Sequence, residues 1–556
     1  MAVDVSGERN VSGQRIAGKG LLNRIPRGRR WSEAGRVCGI SSGLPFRRFF
    51  HRFGEVNMNT PTQPNTIDRR NVLKYGAGFG LALAWPNSRV LGANEDIRIG
   101  VIGVNGRGQS HISAFTGMKG VRLTALCDAD PKVLDARVNA ASTKQKFAVK
   151  GYMDMREMFE KGDIDAMSTA TPNHWHTLAG VWAIQAGKDA YVEKPISHNV
   201  WEGRQLVKLA RKEGKICQGG TQSRSMGSIQ AAVKFVQEGK LGKIKYVKGM
   251  CYKARQSIGK GGGGAVPEGV NYDLWSGPAE IEEPLRRKKF HYDWHWFYAY
   301  GNGDMGNQGI HQMDVARWYL GADTIAPRTM SIGGRLGYDD DGETPNTQLV
   351  WHDYDGAPLI FETRGLPKSK EAQKDWGKNM ESPDEFPGMG GVSVVVACEG
   401  GFVFTDAGGK VKVKDLDGKE MPNPEPFDTE DIFENFISAV KSRKVEDQYA
   451  DCEETHLSSA LCHTGLISHR LGASLKKEEI LEKIKDDALL TDRFGSMADH
   501  LGRNGVDLAK ESIVLGPMIK FNPQTEWAEG NGELDGPANK LATREYRAPY
   551  VVPEVL

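Results

Sequence analysis

The stretch Ile97–Asp130, IRIGVIGVNGRGQSHISAFTGMKGVRLTALCDAD, decides the fold. It opens with a short apolar run, Ile97 to Val101, of the β-branched kind that suits a buried parallel strand. Three glycines follow at once: Gly103, Gly106 and Gly108. A segment able to form a helix comes next, then a second apolar run, Val121 to Cys127, closed by Asp128. This is the order of parts in a dinucleotide-binding βαβ unit. Glycines let the chain turn tightly and bring backbone N–H groups close to a pyrophosphate, and the positive end of the helix points at the same phosphates. Asp128 stands where a carboxylate can accept both hydroxyl protons of an adenosine ribose.

The spacing departs from G-x-G-x-x-G in one place. The middle glycine falls on Asn105, and Gly106 comes one residue late. Asn tolerates a positive φ better than other non-glycine residues, so the turn is expected to survive with Asn105 in that role. Arg107 either adds charge to the pyrophosphate or is a solvated loop residue.

The remainder of this domain reads as alternating elements. Tyr152 to Lys161 predicts a short helix, Ala166 to Ala170 a strand, Leu178 to Ala186 a helix and Ala190 to Val192 a strand. Ile216 to Gly219 predicts the last strand, with Gln222 and Arg224 just beyond it. Thr171, Pro172, Asn173, His174 and His176 follow a strand, where ligands gather in open α/β sheets. His174-x-His176 has no evident third ligand nearby, so no metal is expected. Glu193-Lys194-Pro195 places a lysine at the end of a buried strand, held by a proline.

Further along, Asp304, Asn307, His311 and Asp314 in GDMGNQGIHQMD are spaced to share one face of a helix. Two readings fit: a helix N-terminus capped by Asp304, or a ligand-facing row. Gly261 to Gly264 is a run of four glycines that reads as a mobile loop and a candidate lid. Aromatic residues crowd 290–300, and Trp294, Trp296 and Tyr298 are either core or a platform for a sugar face.

The chain resembles the Gfo/Idh/MocA family, of the glucose–fructose oxidoreductase and inositol dehydrogenase type. The residues that carry the resemblance are the glycine loop at 103–108, Asp128, ATPNHWH at 170–176, EKP at 193–195 and GNQGIHQMD at 306–314. It implies an α/β Rossmann domain followed by an α+β domain with a large, mostly antiparallel sheet. It also implies action on a hydroxyl of a sugar, polyol or sugar derivative; Asp128, followed by the uncharged Ala129, points to NAD rather than NADP as the cofactor. The implied nucleotide contacts are Gly103, Asn105, Gly106, Arg107, Gly108, Asp128, Thr171, Pro172, Asn173, His176, Glu193 and Lys194. Gln222, Arg224, Trp296 and Asp304 are the candidate substrate contacts. In the family pattern an Asp stands four residues before the catalytic His. Here that position holds Asn307, while His311 and Lys194 match. The resemblance thus makes His311 the base, Lys194 the group that holds the substrate hydroxyl, and Asn307 an uncharged orienting residue. Two other activities fit the same residues: a glycosidase that uses NAD transiently with no net redox, and a non-catalytic sugar-binding protein.

The second domain is independently α+β. Strands are expected at Lys245–Lys253, Gln348–Trp351, Leu359–Thr363, Val392–Cys398, Gly401–Phe404 and Val411–Lys414. Helices are expected at Ser228–Gln237, after a cap at Asp428 or Thr429, and over Glu453–Leu471. Residues 365–391 read as a surface loop. The expected divisions are 97–218 for the nucleotide domain, 219–472 for the substrate and oligomerisation domain, and 473–556 for a C-terminal extension of weak periodicity.

The 556 residues hold 73 Lys plus Arg against 71 Asp plus Glu, which gives no basic surface for nucleic acid. No stretch is long enough for a conventional membrane span. The seven cysteines are scattered, with no C-x-x-C. Residues 1–57 read as a disordered or spurious extension before a start at Met58. Arg69-Arg70, the apolar run Tyr75 to Trp85 and a small-residue site near Ala93 make 58–93 a twin-arginine signal, which implies a periplasmic or otherwise exported protein. A homo-oligomer, dimer or tetramer, is the expected assembly.

Overall fold

The computed structural model describes residues 96–556. The expected start at Met58 and the export signal lie outside the described residues. The first domain runs β1 (Ile97–Ile102), α1 (Gly108–Gly117), β2 (Val121–Cys127), α2 (Pro131–Gln145), β3 (Lys150–Tyr152), α3 (Met155–Lys161), β4 (Ala166–Thr169), α4 (His176–Gln185), β5 (Asp189–Val192), α5 (Val200–Lys212) and β6 (Cys217–Gly219). All its strand pairs are parallel, in the order β3-β2-β1-β4-β5-β6. The order reverses between β1 and β4, and the carboxyl ends of those two strands open the crevice where a dinucleotide binds in this topology. The expected helix from Tyr152 starts only at Met155, because Lys150–Tyr152 pairs with β2 as an edge strand and Asp154 caps the helix by accepting from Arg156 N.

The second domain contains α6 (Gly227–Gln237), β7 (Ile244–Tyr252), α7 (Tyr272–Ser276), α8 (Ile310–Leu320), β8 (Arg328–Gly334), β9 (Thr347–Asp353), β10 (Leu359–Arg364), β11 (Val392–Cys398), β12 (Gly401–Asp406), β13 (Val411–Asp415) and β14 (Glu420–Met421). It continues with α9 (Ile432–Ser442), α10 (Cys452–Arg470), β15 (Ala473–Leu475), α11 (Lys477–Ile484), α12 (Ala488–Arg503), β16 (Ile513–Leu515), β17 (Ile519–Lys520) and α13 (Asp535–Leu541). The sheet has 11 strands in the order β14-β13-β12-β11-β7-β10-β9-β8-β16-β15, with β17 also on β8. Within it only β7 and β10 pair in parallel.

Side chains alternate across this sheet, and both faces are buried. Val350 and Phe361 pack with Met313 and Ala316 of α8 and Leu461 and Leu466 of α10. Leu349, Trp351 and Ile360 pack the other way, against Ile480 and Ile484 of α11 and Phe494, Met497 and Leu501 of α12. Two-sided burial explains why these strands read as nearly continuous apolar runs. It also gives the weakly periodic residues after 472 a structural role, since they supply the cover for the second face. Their last segment returns to the first domain, where Tyr550 packs on Trp175 and Trp182 and the Val555 N–H donates to Gln205 at 2.8 Å. Helix α9 does likewise, with Phe433, Phe436 and Ile437 in one core with Ile99, Val101 and Phe115. Its cap is Asp431 rather than Asp428 or Thr429, in a capping box with Glu434.

The four-glycine run is mostly exposed and is tied down at a few points. Gly261 N–H donates to Asp341, Ile258 N–H donates to Asp340, and Gly262 and Gly263 pass so close to the carbonyls of Arg286 and Leu285 that a Cβ would stand 2.7 and 2.5 Å from them. Among the described residues no helix is long and apolar enough to cross a membrane.

Candidate active site

The glycine turn after β1 takes its shape from close approach and from φ. Gly103 has φ +73°, and a Cβ there would stand 2.7 Å from the Thr171 nitrogen, so β1 and β4 end almost in contact. Gly108 packs on the same turn, where a Cβ would lie 2.0 Å from the Gly103 oxygen. The positive φ expected of Asn105 is found at Gly106 (φ +43°) instead, which relieves Asn105 of any left-handed strain. Asp128 at the end of β2 accepts from Val104 N–H (2.9 Å) and Asp130 N–H (3.0 Å). Burial pushes its carboxyl up from the ordinary value, and these two N–H groups oppose that.

Glu193 collects the polar groups of the cleft floor. Its carboxylate accepts from Arg107 Nε (2.7 Å), Gln222 Nε2 (3.1 Å) and its neighbour's N–H at Lys194 (3.1 Å), and faces His111 Nε2 at 3.2 Å. Burial pushes the acid up, but His111, Arg107 and Lys194 outweigh it and hold Glu193 well below the usual carboxylate range. His176 lies between the carbonyls of Pro195 (2.6 Å) and Thr171 (2.8 Å), joining the ends of β4 and β5. His174 faces the carbonyls of Trp275 and Tyr300, so the two histidines bond to backbone and not to a shared point. Among the described residues no group of three or more His, Cys, Asp or Glu could hold a metal ion.

A cleft of about 420 Å³ runs from Asp128 past the glycine turn to Lys194. Its residues fit a dinucleotide. The N–H groups of Gly108, Gln109 and Ser110 at the start of α1 bond back to the carbonyls of Asn105, Gly106 and Arg107 (2.8, 3.2 and 2.9 Å), which fixes the turn, and the space beside Gly106 is open. Asn173 Oδ1 is buried on the cleft wall with no hydrogen-bond partner. Pro172 and Thr171 complete that wall.

At the other end, Lys194 Nζ donates to the Asn307 carbonyl at 2.6 Å. Residues Met305–Gly309 form a π-helical turn before α8, so the four-residue row from Asp304 to Asp314 is not one helical face. Asp304 pairs with Arg255 (2.6 Å), and Asp314 pairs with Arg224 (2.9 Å) and accepts from Ser458 (2.7 Å). Trp296 lies beneath Arg255, 5.2 Å from its ring centroid, and Gln222 is committed to Glu193. The four candidate substrate contacts are therefore engaged within the protein. Asn307 lines the cleft with Lys194, whereas His311, half-buried one turn beyond, is not part of the lining.

Burial lowers the Lys194 ammonium, with Glu193 opposing and Arg107, Lys253 and Arg255 adding to the effect. Burial and then the Lys194 charge hold His311 at about 3. His295, unremarked in the sequence, lines the cleft and is also held at about 3 by burial, with Lys194 and Arg255 contributing. Its ring stacks on Trp294 at 3.7 Å and its Nδ1 meets the Tyr292 carbonyl at 2.5 Å, which leaves Nε2 with the lone pair. His291 and His111 were equally unmarked. The aromatic crowding at 290–300 was visible, but which rings face a cleft depends on packing.

Residues 97–221 match the family model for the Gfo/Idh/MocA oxidoreductases, NAD-binding Rossmann fold, and residues 233–374 match the model for the C-terminal α/β domain of that oxidoreductase family. A glycosyl hydrolase family 109 protein of Shewanella pealeana is 32% identical over 127 residues, and an alpha-N-acetylgalactosaminidase of Shewanella oneidensis is 35% identical over 127 residues. Each alignment covers 22% of this chain and 28% of the relative. Among solved structures, the WlbA dehydrogenase from Bordetella pertussis, in complex with NADH and UDP-GlcNAcA, superposes with a TM-score of 0.50 at 19% identity, over 66% of this chain and 93% of that one. The aldose–aldose oxidoreductase from Caulobacter crescentus gives 0.50 at 14% identity, over 68% and 98%. At those identities the likeness is one of fold.

Proposed function

We propose that this chain, by its two domains a Gfo/Idh/MocA oxidoreductase, oxidises a CH–OH group of a sugar, polyol or sugar derivative with NAD. The observation that carries the reading is the Lys194 ammonium held against Asn307 at one end of the dinucleotide cleft, with uncharged imidazoles nearby. Bound NAD supplies the acceptor for the hydride of the carbinol carbon. Lys194 has three N–H donors and gives one to Asn307, so two remain to hold the substrate oxygen and offset its developing negative charge. His311 is uncharged above about pH 3 and accepts the hydroxyl proton, which it passes on readily beside the Lys194 charge. Asp128 favours NAD over NADP, because its carboxylate accepts from a 2′-hydroxyl and repels a 2′-phosphate.

The alignments with family 109 glycosidases support a second reading: a glycosidase that oxidises, eliminates and reduces in turn, with NAD regenerated. Mass spectrometry of the cofactor released from purified protein, followed by a panel of free sugars, polyols and an aryl α-N-acetylgalactosaminide, separates them. Net NADH formation from a free sugar supports the dehydrogenase. Cleavage of the aryl glycoside without added NAD supports the glycosidase. Neither, with sugar binding intact, leaves a binding protein.

A further inference from the structure

Residues 253–301 carry a small core of their own, in which Trp275, Leu285, Phe290, Phe297 and Tyr300 pack together. The buried Arg287 guanidinium lies 4.3 Å from the Trp275 ring and 4.8 Å from that of Tyr300, and Glu282 neutralises it at 2.6 Å. A buried cation persists in an aromatic box when it is paired in this way. The segment is pinned to the Rossmann domain at several points, besides the His174 contacts with the Trp275 and Tyr300 carbonyls. Asn271 N–H donates to the Ala129 carbonyl (2.9 Å), Trp175 Nε1 donates to the Leu274 and Trp275 carbonyls (3.0 Å each), and His291 Nε2 meets Asp130 at 3.0 Å. Gly277 sits so close to Trp175 that a Cβ would stand 2.2 Å from the indole ring. The segment therefore roofs part of the cleft, which Leu274, Trp275 and His291 line together with Asp128 and Ala129.

We infer that the roof completes the dinucleotide site and that His291 binds the adenosine-side ribose of NAD beside Asp128. The Asp130 carboxylate can only accept, so the His291 Nε2 that faces it carries the hydrogen, and in the neutral ring Nδ1 holds the lone pair. The other Asp130 oxygen accepts from Lys132 N–H (3.0 Å) and Val133 N–H (3.2 Å) at the start of α2, which fixes the carboxylate and hence the ring. Each Asp128 oxygen already accepts one backbone N–H. Asp128 serves one ribose hydroxyl, and His291 Nδ1 gives the other an acceptor. A 2′-phosphate would face two carboxylates and that lone pair. The inference rests on the NAD reading above and adds to it a residue from outside the Rossmann domain.

The test is titration of the full chain, freed of bound nucleotide, with ADP-ribose, nicotinamide mononucleotide and NAD, read by quenching of the cleft tryptophans. His291→Ala should weaken ADP-ribose and NAD by the same factor, about tenfold for one lost hydrogen bond. Nicotinamide mononucleotide should bind as before. His291→Gln, whose amide can donate to Asp130 and accept from the ribose, should recover most of the affinity. Unchanged ADP-ribose binding in His291→Ala overturns the inference. So does equal weakening of nicotinamide mononucleotide, which would mean a loosened roof. His291→Phe keeps the ring without its nitrogens and reads the same way if the alanine variant unfolds, and unfolding of both would make His291 structural and overturn the inference. Failure of the unmodified protein to bind ADP-ribose would instead remove the NAD reading itself.

Discussion

Asn307→Asp changes one charge with almost no change in shape, at the point where Lys194 meets the second domain. Lys194 Nζ already touches the backbone of residue 307, and His311 stands one turn further along the chain. Residue 307 lies inside the π turn and His311 in the first turn of α8; for a separation of about 6 Å and an effective dielectric near 20, a unit charge is worth roughly 2.8 kcal/mol, or about two pH units. A negative neighbour favours the imidazolium, so His311, at about 3 in the unmodified protein, should move up toward about 5. A base must be uncharged to accept a proton. The unmodified enzyme should therefore show no His311 limb in kcat/KM over the ordinary assay range, while the variant loses activity as pH falls through about 5. The same carboxylate favours the Lys194 ammonium, so a basic limb set by Lys194 should move to higher pH. The assay is initial-rate NADH formation between about pH 4 and about pH 9 with a substrate from the sugar panel. An unmoved acidic profile would show that residue 307 does not stand beside the titrating group. Full activity in His311→Ala would remove His311 as the base altogether.

Lys194→Ala and His311→Ala should each lower kcat by about 10²-fold or more, with NAD affinity unchanged in His311→Ala by direct titration, because His311 lies outside the cofactor cleft. Gly108→Ala drives a methyl to 2.0 Å from the Gly103 carbonyl, where no flexible side chain can yield, and NAD affinity measured by fluorescence should fall by more than about tenfold. Glu381 is held at about 2, against the upward push of burial, by His500 and Arg364. A depressed acid stabilises the fold above its unfolded value of 4.5 and loses that contribution as pH falls toward about 2. The Tm gap between the unmodified protein and Glu381→Gln should thus be widest near neutral pH, for up to about 3 kcal/mol, and close in acid.

The nucleotide domain was legible because its signals are local. An apolar run, a cluster of glycines and a second run ending in Asp128 constrain a few consecutive residues, and backbone sterics translate them directly into strand, turn and strand. Lys194 was legible as a lysine after a buried strand, and the strands β10 to β13 as apolar runs within a residue or two of their ends. The helix row from Asp304 to Asp314 misled because spacing cannot reveal a π turn, which widens the backbone by one residue per hydrogen bond.

By itself the sequence determined the two-domain order, the dinucleotide turn and the neighbourhoods of Lys194 and His311, since each depends on residues close together in the chain. The tertiary structure alone decided which polar groups remain free to meet a ligand. Arg224 and Asp314 are 90 residues apart, and Arg255 and Asp304 are 49 apart, yet each pair is joined in a buried salt bridge that withdraws both charges from the cleft. His291 and His295 reach the cleft because an aperiodic segment folds around Arg287 and docks on Trp175 and Ala129. Ion pairs and aromatic packing of this kind are made between distant residues, and their energy depends on burial and geometry that no short window of sequence contains.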